Sequence, residues 1–420
     1  MRCPSPAIPS SATRMESRTG GSVVPTPWKI SLKGIDQIDP AGPTMSNWIR
    51  PRYTLDEINA AGEALRLRRP PGEPEPYHVV QNWRMAHWFP LNTVAVSLRK
   101  HSARIDPSST VATRVKRFWS IRKKLQRMRR LTLYEMQDLG GARSIVGSCG
   151  AIDRLRRVYN PSAMKRSRYL SEIVGTDDYL EAPKPDGYRG VHLILRYTGR
   201  KPDWDGLLTE IQLRTSEQHA WATTVEILET ILEQRLRTTQ GDATWKRFLA
   251  LMSSAIALTE GRPRVPATPE TLAEIRAQIL DLDTSIHVKG TPRGVINAIS
   301  KAPRFGTGTT WTVLDMRPKA DETSVFAFPR DDLADAARKL AEVEEAISTD
   351  FASDPGANAV LVSVSSIEKL RDAYPNYYLD ATAFIELYDR LILARTGQRR
   401  ADHDASPHAS PAQSTAPNPQ

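Results

Sequence analysis

Between Asp178 and Thr215 the chain sets a lysine, a tyrosine and a histidine in and after a Pro/Gly loop, followed by one carboxylate on a strand. The residues read Asp-Tyr-Leu-Glu-Ala-Pro-Lys-Pro-Asp-Gly-Tyr-Arg-Gly-Val-His and, after a turn-rich gap, Leu-Leu-Thr-Glu-Ile-Gln-Leu-Arg-Thr. An enzyme of nucleotide phosphates needs such parts. Pro183 to Tyr188 is stiffened by proline and relieved by Gly187, so it can hold Lys184 and Tyr188 in defined positions. A planar base can stack on Tyr188, Lys184 offers a point charge for phosphate, and His192 adds a further donor. A plain tight hairpin with an exposed tyrosine has the same composition, so the loop alone decides nothing.

Period-2 alternation over Leu207 to Arg214 puts Leu207, Thr209, Ile211 and Leu213 on one face and Glu210, Gln212 and Arg214 on the other. A solvated outer sheet face would look alike. Upstream, Arg114 to Lys124 supplies a dense cationic patch. On a helix Arg117, Ser120 and Lys124 would stack a turn apart, with Lys116 and Lys123 close by, an array able to neutralise a triphosphate. A solvated helix face or a groove for RNA backbone competes with that reading. Asp138 lies in Gln-Asp-Leu-Gly-Gly-Ala-Arg143, expected at a helix-to-strand junction where two glycines allow close backbone approach. With Glu210 it could make a magnesium site, since that ion takes one or two carboxylates plus substrate phosphate oxygens. Taken alone, Asp138 is more often a helix-terminal or turn residue than a metal ligand.

The elements that must position these groups follow from pattern. The chain has 420 residues, 40% of them hydrophobic, enough for two or three cores. Its net charge of +10 draws polyanions without naming one. Two distant cysteines, Cys3 and Cys149, support neither a disulfide framework nor a zinc site, and imply a reducing, cytoplasmic location. No apolar run approaches the ~20 residues that cross a bilayer, so no membrane partner is expected. Residues 1–45 and 397–420 read as disordered tails, with Met45 a second candidate start. In 46–112 a capping box, Thr54 with Glu57, opens a helix that Pro70 and Pro71 end, and a helical stretch from Tyr77 to Arg104 is interrupted by Pro90. Residues 113–262 read as an α+β domain: a mixed sheet flanked by helices, with strands at Ala142–Val146, Val191–Tyr197 and Leu207–Arg214 and helices at Ile152–Tyr159 and Ser216–Ile231. A helix and linker fill 263–304. Residues 305–396 read as a separate smaller α+β module, with strands near Thr310–Asp315, Thr323–Phe328 and Ala359–Val364 and a helix whose Leu333, Ala336, Leu340, Val343 and Ile347 share a face. A helix capped by Ser365 and Glu368 is expected after it.

Four ordered motifs together resemble the synthetase domain of the RelA/SpoT family, which makes the alarmones (p)ppGpp. They are Arg-x-Lys-x-x-x-Ser-Ile-x-x-Lys (Arg114 to Lys124), Asp-Leu-Gly-Gly-Ala-Arg (Asp138 to Arg143), Pro-Lys-x-x-Gly-Tyr-x-x-x-His (Pro183 to His192) and Glu-Ile-Gln-Leu-Arg-Thr (Glu210 to Thr215). The resemblance implies a nucleotidyltransferase-like fold and transfer of the β,γ-pyrophosphate of ATP to the 3′-hydroxyl of GDP or GTP, releasing AMP. It implies Arg114, Lys116, Ser120, Lys124 and Arg143 on the ATP side, and Asp138 with Glu210 as Mg2+ ligands, Glu210 also being general base. It implies Tyr188 stacked on the acceptor guanine, supported by Lys184 and His192, with Gln212 and Arg214 lining the site.

Two departures matter. Arg189-Gly190-Val191 stands where many members carry a Ser-Leu pair, which leaves the acceptor open. The family's hydrolase domain has no upstream counterpart, and the His-Asp pair His403-Asp404 lies near the end, so alarmone breakdown is not expected. A toxic branch of the family also lacks a hydrolase and pyrophosphorylates the 3′ end of tRNA; Lys165, Arg166 and Arg168 would suit that acceptor. Tyr374-Pro-Asn-Tyr377 is similar to a Tyr-x-x-Tyr motif of fused antitoxins, so the last module is expected to inhibit the synthetase or to bind a regulatory partner. Small synthetases of this family often oligomerise, and a homo-oligomer is an open expectation here. A non-catalytic RNA or nucleotide binder is the reading from another class; Asp138, Glu210 and Tyr188 together argue against it, since binding alone would not need both carboxylates.

Overall fold

Alternating β-branched and aliphatic residues build a mixed sheet flanked by helices, an α+β fold. The computed structural model describes residues 29–33, 48–67, 74–160, 162, 171–232, 236, 241–288, 310–317, 322–329, 332–350, 357–364 and 381–393. The strands are β1 (Lys29–Lys33), β2 (Thr110–Val115), β3 (Gly140–Val146), β4 (Ser171–Asp178), β5 (Val191–Tyr197), β6 (Leu208–Thr215), β7 (Thr310–Arg317), β8 (Glu322–Phe328) and β9 (Asn358–Val364). The helices are α1 (Leu55–Arg66), α2 (Pro74–Ala86), α3 (Trp88–Ile105), α4 (Phe118–Arg127), α5 (Cys149–Val158), α6 (Ser216–Ile231), α7 (Ala243–Thr259), α8 (Leu272–Ile286), α9 (Leu333–Asp350) and α10 (Thr382–Tyr388).

Among the described residues the strands form one sheet in the order β1-β8-β7-β9-β2-β3-β6-β5-β4. β1 with β8 and β3 with β6 run parallel, and the other neighbours antiparallel. One face of the β2 to β5 half is apolar. Register aligns Thr113, Ala142, Ile211 and Leu193 in one row and Val111, Ser144, Leu213 and Val191 in the next. All eight are buried. Helix α3 covers this face, and Ser102 on it meets Ser144 through their hydroxyls at 2.8 Å. Each Ile or Leu enclosed here stabilises the sheet by roughly 1.5–3 kcal/mol.

The expected Thr54–Glu57 capping box opens α1, each side chain taking up the other residue's backbone N–H. The stretch from Tyr77 to Arg104 is two helices, broken at His87. Pro90 then falls in the first turn of α3, where its missing N–H costs no intrahelical bond. The basic segment is not one helix. Arg114 lies in β2, which ends at Val115, Arg117 is extended with ψ 141°, and only then does α4 begin. Likewise Asp138 lies in a turn into β3 and not at a helix end.

The separate module expected over 305–396 shares the sheet. β9 pairs with β2 through Thr113↔Ser363 and Arg114↔Val362, and Trp311, Val313, Leu340 and Leu361 join the same core as Leu91, Val94 and Val111. The alternating apolar residues of β7 and β9 complete an edge that β2 would otherwise expose. β1 lies within the stretch expected to be a tail and forms an outer strand of that half. Pro70, Pro71, Lys165, Arg166, Arg168, the helix expected at Ser365 and the Tyr374–Tyr377 motif lie outside the described residues.

Candidate active site

On the face opposite α3, strand register builds a small grid. Arg114, Gly141 and Glu210 form one row across β2, β3 and β6, and Ala112, Arg143 and Gln212 the next, with His192 beside Gln212 on β5. Gly141 leaves a gap between Arg114 and Glu210. These six residues line one cavity with Lys116, Asp138 and Ala142. The polar side of β6 is therefore not a solvated outer face: Glu210 and Arg214 are 8% and 5% exposed.

Lys116 and Asp138 close one end of the cavity. The Lys116 N–H donates to Leu139 O over 2.7 Å, which extends the β2–β3 pairing by one residue and aims the side chain inward. Lys116 Nζ and Lys124 Nζ then donate to the two oxygens of Asp138, over 2.7 and 2.9 Å. Burial works against a charged Asp138 carboxyl, but the two ammonium groups outweigh it and hold it well below the usual carboxylate range. Burial also pulls Lys116 down, against the pull of Asp138. Of the five residues expected on the ATP side, Arg114, Lys116 and Arg143 line the cavity. Lys124 reaches it through Asp138, and Ser120 sits in the first turn of α4 without lining it.

At the other end five side chains close a hydrogen-bonded ring. Tyr188 Oη and His192 Nε2 share a 2.5 Å bond, and His192 Nδ1 lies 2.7 Å from Glu210 Oε1. Gln212 Nε2 donates to Glu210 Oε2 over 2.7 Å, Arg214 donates to Gln212 Oε1 over 3.1 Å, and the same guanidinium nitrogen donates to Tyr188 Oη over 2.8 Å. Burial opposes charge on His192, yet Tyr188 and Glu210 push its pKa up to about 9. Burial alone would raise Glu210; the hydrogen bond and charge of His192 prevail and lower it, so the carboxylate stays ionised.

The loop that presents Tyr188 is pinned on both sides. Its turn closes with Gly187 N–H on Lys184 O at 2.9 Å, and Gly187 takes a φ of 93° that L side chains rarely adopt. A Cβ there would come within 2.7 Å of the Trp221 ring. Ser253 Oγ donates to Gly187 O over 2.6 Å, and Arg189 donates to Leu180 O and Pro263 O. Tyr188 is 7% exposed, and Lys184 Nζ lies 4.1 Å from the Tyr179 ring centre and 5.1 Å from that of Tyr188. Sequence reasoning missed Tyr179, Arg189 as a clamp, Trp221 and Ser253. The alternation of β6 was visible, whereas contacts from a loop to α6 and α7 leave no periodic trace.

Asp138 and Glu210 are the carboxylates of this cavity. Among the described residues no group of three or more His, Cys, Asp or Glu side chains could cage a metal by itself. Two carboxylates beside a cationic cavity do fit Mg2+, which completes its shell with phosphate oxygens and water.

Residues 113–227 match the family profile described as "Region found in RelA / SpoT proteins". The chain is 36% identical over 126 residues to the GTP pyrophosphokinase YwaC of Bacillus subtilis (strain 168), covering 28% of this chain and 56% of that protein. It is 34% identical over 126 residues to the GTP pyrophosphokinase YjbM of the same organism, covering 28% and 54%. The chain thus spans about half the length of these curated relatives. Among solved structures it is similar to small alarmone synthetase 1 from Bacillus subtilis bound to its product pppGpp, with 24% identity, a TM-score of 0.34, and coverage of 41% of this chain and 87% of that one. The chain carries a RelA/SpoT region over residues 113–227, and every residue lining the cavity except Ala112 lies within it.

Proposed function

We propose that this protein is a pyrophosphokinase that moves the β,γ-pyrophosphoryl group of ATP to the 3′-hydroxyl of GDP or GTP. The observation that carries the reading is the row Arg114–Gly141–Glu210, with Arg143, Lys116 and Asp138 around the same cavity. Transfer of this kind is catalysed by in-line positioning and by cations that offset charge on the moving group. Arg114, Lys116 and Arg143 supply those charges, and Lys124 steadies Asp138 beside them. The 3′-oxygen attacks the β-phosphorus, the bridge between the α- and β-phosphorus breaks, and AMP leaves with the bridging oxygen. Glu210 takes the hydroxyl proton, an assignment its ionised state allows.

Asp138 and Glu210 are the residues that would hold Mg2+ alongside the nucleotide, and the bound ion would supply charge neutralisation to the triphosphate. Tyr188 receives the guanine at the far end. Lys184 lies over both Tyr179 and Tyr188, so a stacking base takes the place of its ammonium, which is then free to meet phosphate. His192, Gln212 and Arg214 hold that end in register.

The deciding experiment incubates the full chain with ATP labelled at the γ-phosphate and with GDP, GTP or deacylated tRNA in separate reactions. Label on a guanosine nucleotide supports the proposal. Label on tRNA moves the activity to the alternative acceptor, and label on none of them removes the enzymatic reading.

A further inference from the structure

The C-terminal half of the sheet reaches the proposed ATP side through a buried ion pair. Arg84 on α2 and Glu344 on α9 are 1% and 4% exposed, and they meet through both guanidinium nitrogens, NH1 to Oε1 at 2.8 Å and NH2 to Oε2 at 3.0 Å. Gln81 Nε2 also donates to Glu344 Oε2 over 2.6 Å. The same NH1 of Arg84 donates to the carbonyl of Lys116 over 3.4 Å. Lys116 is the residue whose ammonium holds Asp138 at the cavity.

Three further contacts tie this half to β2 and α3. Thr113 Oγ1 donates to Ser363 O over 3.2 Å, Arg114 pairs in register with Val362, and the rings of Trp88 and Trp311 meet at 4.5 Å. An arginine this deeply enclosed needs a counter-charge, because removing one partner of a buried pair leaves an uncompensated ion. If α9 were displaced, that ion would stand one hydrogen bond from the backbone of Lys116.

We infer that Glu344 is a positioning residue of the ATP side: it fixes Arg84, and Arg84 fixes the turn from β2 to α4 that aims Lys116 at Asp138. On this reading the segment from β7 to β9 is a working part of the synthetase scaffold. The expectation of a removable inhibitor predicts the reverse, a rise in activity when α9 is loosened. The inference rests on the pyrophosphokinase reading, since it assigns Lys116 to ATP.

The test uses the full chain and the α,β-methylene analogue of ATP, whose bridge does not break, with binding by calorimetry and unfolding by thermal melting. Glu344→Gln is expected to lower the melting temperature and to weaken analogue binding about tenfold, a coupling of ordinary size for two linked sites. The paired variant Arg84→Met with Glu344→Leu separates packing from positioning. Such a replacement commonly restores stability, so melting is expected to recover while analogue binding remains weak and the KM for the acceptor stays put. Arg84→Lys, which keeps the charge but loses the fork, is the second arm, with a stable fold and weakened analogue binding expected. Analogue binding at the wild-type level in the paired variant or in Arg84→Lys would overturn the inference and leave the pair a matter of packing. A wild-type chain that binds no analogue would instead overturn the function it rests on.

Discussion

His192 and Glu210 sit on adjacent antiparallel strands with Nδ1 and Oε1 2.7 Å apart, and the contact leaves neither Glu210 oxygen idle, because Oε2 accepts from Gln212. A carboxylate held at both oxygens has one orientation. It is ready for a hydroxyl at a fixed place, and the incoming group must share Oε1 or Oε2 with a neighbour.

Glu210→Gln should therefore stop transfer while keeping the fold. The amide fills the same space, but it cannot take a proton from the 3′-hydroxyl. A loss of at least ~10²-fold in turnover is expected for a missing general base. Labelled-ATP transfer and circular dichroism check the two halves; substantial turnover in the variant removes Glu210 from its role.

How much of this was legible in the sequence depends on the range of the interaction. Residues that share a strand were readable, because period-2 alternation alone puts Glu210, Gln212 and Arg214 on one side. The grid that brings Arg114 opposite Gly141 and Gly141 opposite Glu210 was not, since register is fixed by pairing between strands far apart in the chain. The same limit explains the C-terminal strands. Each was expected within a residue or two of its place, yet nothing local tells β9 that its neighbour is β2. Arg84 and Glu344 each look like ordinary helix-surface charges, and only their 260-residue separation closing into a buried pair gives them meaning.

Gly141→Val offers a test of the cavity that leaves the charged groups untouched. A Cβ at this position would meet only Arg114 O at 3.8 Å, an ordinary contact, so packing tolerates it. Valine also suits a strand. Its methyl groups would stand between Arg114 and Glu210, where the proposed phosphates lie. Melting close to wild type with ATP-analogue binding lost is the expected result; unchanged binding would move the nucleotide out of this cavity.

Arg189 predicts a different separation. It is 2% exposed and spends its guanidinium on two backbone carbonyls, Leu180 O and Pro263 O, that flank the Tyr188 loop. Arg189→Met removes both donors and leaves the buried Leu180 O without that partner, at a cost of about 1–3 kcal/mol, while Pro263 is exposed and its oxygen can turn to water. The loop should loosen while the ATP side, on other strands, stays intact. The expected signature is a raised KM for the guanosine nucleotide with an unchanged KM for ATP, read from initial rates with each substrate varied in turn.

His87 gives the fold a pH dependence of its own, away from the cavity. The side chain is buried at the break between α2 and α3, with Nδ1–H donating to Trp83 O over 2.7 Å, and burial pushes its pKa down to about 4 despite that bond. An unfolded chain takes up the proton near pH 6.5, well before the folded one does. Stability is thus fully present above about pH 6.5 and falls as the pH drops toward 4, by up to about 3 kcal/mol for a gap of this size. His87→Asn keeps a donor for Trp83 O and cannot charge. Urea unfolding at pH 7 and pH 4.5 should show the wild type losing more stability than the variant over that interval, and equal losses would mean that His87 is charged in the folded protein too.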